Sequence, residues 1–178
     1  MRKILAVWPK SWEVWGDLIS CLEWTGRVDE ARAMLEAPAS RPPIAPRIIE
    51  SGDAAFAAAK SRAPRDIAKL RRLDLAMAAE DLRYVPLSMQ TLSSFGFVDD
   101  AFGLAAKYTP SEGSRPDFLF TPLTAATRRD PRFMQLTRRI GLMDYWRAGG
   151  GWPDFCSEPG LKYDCRTEAA RLLATAES

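Results

Sequence analysis

Apolar positions along this chain recur at helical spacing before any other feature stands out. Trp15, Leu18 and Leu22 stand three and four residues apart, which lines one face of an α-helix. The tripeptide "TGR" ends that helix, because Gly26 can take a left-handed conformation. Asp29 and Glu30 then sit where a second helix begins and where carboxylates suit the helix dipole. Small Ala31 lets the two helices approach closely, and Leu35 continues the inner face. The same alternation predicts a helix over 47–60, weakened by Gly52, and another over 64–82 with Ile67, Leu70, Leu73 and Met77 along one face. The Pro-rich stretch 38–46 reads as a connector and "TPSEGSRPD", residues 109–117, as a loop.

One phrase is written twice. "GRVDEA" at 26–31 returns as "GFVDDA" at 96–101, 70 residues later and so about two units of 35. Pro9 and Pro43 stand 34 apart, one unit. Between the two phrases, residues 44–81 hold a degenerate hairpin. "MRKILAVWP" reads as the end of a preceding second helix, so the chain is expected to begin inside a unit. It is then either the C-terminal part of a longer protein or a chain whose first helix serves as a makeshift cap.

From Trp15, the residues Leu18, Leu22, Gly26, Ala31, Leu35 and Pro43 fall at the offsets of the tetratricopeptide repeat (TPR). Ile19 replaces the first Gly of that pattern, Leu22 the Tyr and Leu35 the Phe. The second match is looser: Val85 and Ser88 stand for Trp and Leu, while Leu92, Gly96 and Ala101 keep the pattern. The segment resembles a TPR. The resemblance implies an all-α fold of stacked antiparallel helical hairpins, an α-solenoid closed by an irregular aromatic C-terminal cap. Within one domain, 1–178, it implies the tail of a preceding repeat (1–9), a TPR-like repeat (10–43), a degenerate repeat (44–81), a TPR-like repeat (82–110) and C-terminal helices with the cap (117–178). In such arrays the first helices line a concave groove. The groove positions carried over are Glu13, Ser20 and Glu23 in the first match and Arg83, Gln90 and Ser93 in the later one. They would hold an extended or helical peptide, or else face solvent.

The C-terminal third has its own character. Asp130 is placed to cap a helix that opens with Pro131. Phe133, Leu136 and Ile140 make its apolar stripe and Gly141 stops it. A loop of glycines, prolines and aromatics follows, then a last helix near 166–174. The string Arg129, Asp130, Pro131, Phe133, Gly141, Leu142, Tyr145, Trp146, Trp152, Pro153, Asp154, Phe155, Cys156 and Cys165 resembles the tail of bacterial multidomain regulators, in which TPR-like repeats follow a winged-helix or a nucleotide-cyclase domain. This implies a regulatory or interaction region and carries no catalytic residues. Neither effector domain is readable in the chain.

Composition narrows the chemistry. Of 178 residues, 47% are hydrophobic and 27% charged, with a formal charge of +2, so bulk electrostatics does not mark a nucleic-acid binder and no direct nucleic-acid binding is expected. No apolar run reaches the length of a membrane span, and the opening segment is broken by Pro9 and Lys10 before a signal peptide is complete. There is no histidine, which closes the usual Ser-His and Cys-His nucleophile pairs and removes His metal ligands. Cys21, Cys156 and Cys165 are too few for a Cys₄ zinc site. No metal and no cofactor is expected.

Several constellations have competing readings. Cys156 and Cys165, nine apart, can form a disulfide or take a soft metal with Asp154, Glu158 and Asp164. The blander reading is a clamp, with Trp146, Trp152 and Phe155 folded over the last apolar helix face. Arg128, Arg132 and Arg139, with Arg129 and Arg138 nearby, read as a solvated face before they read as a phosphate or acidic-partner patch. The basic run 60–72 reads the same way, with ion pairing to Glu80 or Asp81. Trp15 is the core tryptophan and Trp24 its packing neighbour. Trp8 and Trp12 would be exposed where an upstream repeat is missing, a sticky edge through which a second copy can pair. The expected function is a non-enzymatic protein–protein interaction module. Its partner would be a protein or peptide segment, or an effector domain of the parent protein. The alternative is a ligand- or redox-responsive sensor that uses the cysteine and aromatic clamp. An enzyme would need a convergent carboxylate pair that no spacing singles out. The cytoplasm is the expected location, or the periplasm if Cys156 and Cys165 are bonded.

Overall fold

A computed structural model describes residues 2–37, 42–110, 116–149 and 151–175. Residues 38–41 of the predicted connector and 111–115 of the predicted loop lie outside the described residues. The fold is all-α, with about ten helices packed as neighbouring pairs, and among the described residues no strand occurs. The chain forms two compact units, Met1–Met77 and Ala78–Ser178, a division that the repeat spacing does not draw.

In the first unit, α1 (Arg2–Val7), α2 (Trp12–Trp24), α3 (Val28–Glu36) and α4 (Pro46–Ser61) pack each on the next, and α5 (Pro64–Glu80) follows. Ser11 starts α2 by accepting the Val14 N–H at 3.3 Å. Trp15, Leu18, Leu22, Ala31 and Leu35 form the core, as the three-and-four spacing predicts, and Phe56 of α4 joins them. Gly52, expected only to weaken its helix, has a second role: a Cβ there would lie 2.6 Å from Leu35 Cδ2, so its absence lets α3 press on α4. Ser51 donates to buried Asp74 at 2.8 Å and ties α4 to α5.

The second unit begins in the last turn of α5. It continues through a 3₁₀ turn at Leu82–Tyr84 to α6 (Val85–Ser94) and α7 (Val98–Ala105). Two 3₁₀ turns, Pro116–Phe120 and Pro122–Thr124, lead to α8 (Ala125–Arg128) and α9 (Arg132–Arg139). Then come α10 (Leu142–Gly149), a 3₁₀ turn at Asp154–Ser157 and α11 (Cys165–Ala174). Helix α10 is a correction, because this stretch was expected to be loop. Its Met143 and Trp146 are buried three residues apart, which makes a short apolar face before the glycine run. The C-terminal region holds a buried aromatic cluster. Phe133 meets Phe155 edge-on at 5.2 Å between ring centroids, and Phe120 and Trp146 complete the group at 5.9–6.2 Å.

The twice-written phrase folds the same way twice. Gly26 and Gly96 have φ of 74° and 82°, a region in which a Cβ clashes and glycine does not. At the first turn the Arg27 N–H reaches back to the Leu22 carbonyl at 2.8 Å and the Gly26 N–H to Glu23 at 3.1 Å. At the second, Phe97 reaches Leu92 at 2.9 Å and Gly96 reaches Ser93 at 3.0 Å. Each is a Schellman closure, which satisfies carbonyls at the end of the first helix. Trp15, Leu18, Leu22, Ala31 and Leu35 are buried, and so are Val85, Ser88, Leu92, Ala101 and Ala105, each 70 positions on. The middle pair follows at a distance of 36. Ser51, Ala54 and Ala58 are buried where Trp15, Leu18 and Leu22 would project, and Arg62 turns left-handed with φ 51° where Gly26 does.

Candidate functional site

Two places in the molecule carry unusual side-chain environments, one in each unit. In the first unit it is the end of α2. Ser20 and Glu23 are half-buried there, and the Glu23 carboxylate finds no hydrogen-bond donor or cation partner among the described residues. Burial alone pushes its carboxyl up to about 7, because the charged form loses water and gains nothing in return. The neighbouring Trp24 is exposed, as are Trp8 and Trp12, and the Trp12 ring lies 6.0 Å from that of Trp15. The side chain of Glu13 lies outside the described ones.

The other three groove positions fall in the second unit. Gln90 is half-buried. Arg83 is exposed but engaged: its guanidinium donates to Asp81 at 2.7 Å, and the same contacts hold the Asp81 carboxyl below its ordinary range. For the basic run 60–72, pairing with Glu80 or Asp81 stood as an expectation beside recruitment of a ligand. Ser93 is 1% exposed, and its Oγ accepts from Thr127 Oγ1 at 2.7 Å and from the Thr127 N–H at 3.3 Å. It leaves no surface for a peptide.

The second unusual place is the C-terminal region, and it is built on arginines. The expected solvated arginine face forms only in part: Arg129 and Arg139 are exposed, while Arg128 is buried and Arg132 and Arg138 are half-buried. Arg128 is 4% exposed. Its Nη1 donates to the Leu119 carbonyl at 3.2 Å, the Thr121 carbonyl at 2.7 Å and Thr124 Oγ1 at 3.0 Å. Its Nη2 meets Glu158 at 3.0 Å, and Tyr163 OH donates to its main-chain carbonyl at 2.8 Å. Burial keeps that phenol protonated far above its usual range. Arg132 forks onto Asp130 and Asp99, lies 4.5 Å over the Phe102 ring and holds the Asp130 carboxyl low. Arg138 donates to the Leu172 carbonyl at 2.7 Å, and Arg139 donates to the carbonyls of Ala105 and Ala106. These two guanidiniums therefore satisfy the C-terminal carbonyls of α11 and α7, where a cation also suits the dipole.

Cys156 and Cys165 are joined in a disulfide. Phe155, beside it, fills the aromatic cluster, and the Arg166 guanidinium stands 5.8 Å over Trp152. Asp164 caps α11 by accepting the Thr167 N–H at 2.8 Å, which depresses its own carboxyl. Of this arrangement the sequence named the cysteines and the aromatics. Glu158 entered only as a candidate metal ligand, and the roles of Arg128 and Tyr163 had no periodic signal. Among the described residues no three Cys, Asp or Glu side chains gather as a metal ion would need, and no helix is long and apolar enough to cross a membrane.

Comparison with protein-family models, with curated proteins and with solved structures finds no match to this chain.

Proposed function

We propose that this chain is a TPR-like helical-repeat interaction module that takes a protein segment onto the α2 face, with Glu23 as its anchor. The observation that supports this most is the turn made at Gly26 and again at Gly96, with the same two main-chain closures and the same five buried positions. One unit written more than once is the economy of a repeat array, in which each hairpin lends one face to its neighbour. No bond is made or broken. Recognition is surface complementarity on rigid helices, whether the partner is a separate protein or an effector domain of a parent chain such as a bacterial regulator. The disulfide suits an oxidising compartment; the cytoplasmic reading goes with the reduced form.

Glu23 identifies the face because its burial is uncompensated among the described residues. A lysine or arginine from a partner would supply the missing charge and lower the carboxyl again. Binding near neutral pH would then release a proton. Helix α2 carries Asp17 and Glu23 and no basic residue, which favours the same kind of partner. The test is selection of linear peptides on the intact chain, followed by titration against Glu23→Lys and, as control, Asp29→Lys on exposed α3 surface. The expected result is basic peptides that lose at least about tenfold in affinity with Glu23→Lys only, the loss typical of a desolvated charge contact. Peptides indifferent to Glu23 would remove the assignment.

A further inference from the structure

The segment between the two cysteines does more than close the C-terminus. It delivers two groups to one residue: Glu158 meets the Arg128 Nη2 at 3.0 Å and Tyr163 meets the Arg128 carbonyl at 2.8 Å. Arg128 in turn holds the carbonyls of Leu119 and Thr121 and the Thr124 hydroxyl. Residues 154–163 and 116–124 are thus coupled through a single residue, Arg128. The disulfide spans only nine positions, so it joins no distant parts of the chain; what it fixes is the shape of the loop that presents Glu158 and Tyr163. Phe155, next to Cys156, is 4% exposed among Phe120, Phe133 and Trp146.

We propose that Cys156–Cys165 is a thiol-opened latch on Arg128, worked by a dithiol reductant. The two sulfurs differ in access, since Cys165 is 2% exposed and Cys156 is half-buried. An incoming thiolate therefore attacks Cys156 Sγ. The Cys156–Cys165 bond breaks and its electron pair leaves on Cys165 Sγ, at the first turn of α11, where the positive helix end favours a thiolate. The second thiolate of the reductant then attacks its own sulfur in the mixed disulfide and expels Cys156. Both cysteine sulfurs take a proton from water. The pair gains two electrons and two protons, and the reductant leaves as its disulfide. The loop, no longer closed, stops presenting Glu158 and Tyr163 together. Arg128 Nη2 then joins Nε, which has no acceptor among the described residues, and the 116–124 segment loses its hold.

This inference does not depend on the partner proposed for α2. The test uses the full chain with Cys21→Ser, so that one cysteine pair reports, and follows hydrogen exchange by mass spectrometry before and after excess dithiothreitol. Reduction is expected to speed exchange about tenfold or more at 117–128 and 154–163 and to leave α2 unchanged, the signature of local opening. Brief exposure to a monothiol, with trapping, should place the adduct on Cys156 and free Cys165. Glu158→Gln with the disulfide intact should reproduce part of the faster exchange at 117–128, which separates loss of the Arg128 contact from loss of the bond. A disulfide that resists dithiothreitol until the protein unfolds, reduction with no change at 117–128, unfolding of the whole second unit on reduction, or an adduct on Cys165 would each overturn the proposal.

Discussion

The α2–α3 pair and the C-terminal region from residue 116 are held together by different means. The helix pair depends on apolar side chains at three-and-four spacing and on one left-handed glycine. The C-terminal region depends on arginines that reach main-chain carbonyls, on a cluster of rings and on a disulfide. Its elements are short and three of them are 3₁₀ turns, so many carbonyls lack helical partners and a forked cation can satisfy several at once. The difference shows that regular helices can be stabilised by pattern, whereas irregular backbone needs specific hydrogen-bond donors.

The sharpest way to break that comparison is Arg128→Met. It removes four donor contacts and leaves Glu158 without its cation, while the Leu119 and Thr121 carbonyls keep their bonds from Thr124. The expected cost is about 2–3 kcal/mol, read by denaturant unfolding, because charge-assisted hydrogen bonds of a buried guanidinium are lost. A loss below about 1 kcal/mol would mean that the arginine only decorates the fold.

The contrast also marks what a reader of the sequence can see. The hairpin at Gly26 was legible, since helical burial leaves a period in the sequence and a left-handed turn leaves a glycine. The middle pair was legible in its helix bounds. That Ser51, Ala54 and Ala58 stand in for Trp15, Leu18 and Leu22 was not, because small residues contribute little to a hydrophobic period. Arg128 was misread because a buried arginine and a solvated one are the same letter. What decides is the carbonyls of Leu119 and Thr121, which belong to aperiodic backbone. Ser93 failed as a groove residue for a similar reason, since its partner Thr127 lies 34 positions away. At α10 the glycine run drew the eye from Met143 and Trp146. Glu23 was placed by the repeat register, but its missing partner is visible only in three dimensions.

The turns give the next test. Nothing lies within 4 Å of a Cβ added at Gly26 or Gly96, so alanine there meets only the backbone cost. Gly26→Ala and Gly96→Ala should each cost about 1–2 kcal/mol and by similar amounts, as left-handed φ does for a residue with a Cβ. Arg62→Gly should move the other way and stabilise by up to about 1 kcal/mol, because Arg62 already carries that cost. Thermal unfolding of the three variants measures both signs.

The smallest effect is at Glu23. Its carboxyl titrates near 7 when folded and near 4.5 when unfolded, so between those values the folded chain binds more proton. Stability should fall as pH rises from 4.5 through 7 and stay lower above. Glu23→Gln removes the ionisation. It should match the wild type below pH 4.5 and exceed it at pH 8 by about 1 kcal/mol, a figure discounted for partial solvent screening. Parallel stability curves at every pH would show that the site is better solvated than its burial implies.

The central claim is that the two hairpin turns are copies of one unit. The direct measurement replaces residues 22–31, "LEWTGRVDEA", with residues 92–101, "LSSFGFVDDA", and follows unfolding of the exchanged chain. Leu, Gly, Val, Asp and Ala keep their places in both strings. The account predicts one cooperative transition for the first unit, with stability within about 1–2 kcal/mol of the wild type, since only surface and half-buried positions change. Loss of that transition, or a cost as large as that of a core deletion, would contradict it.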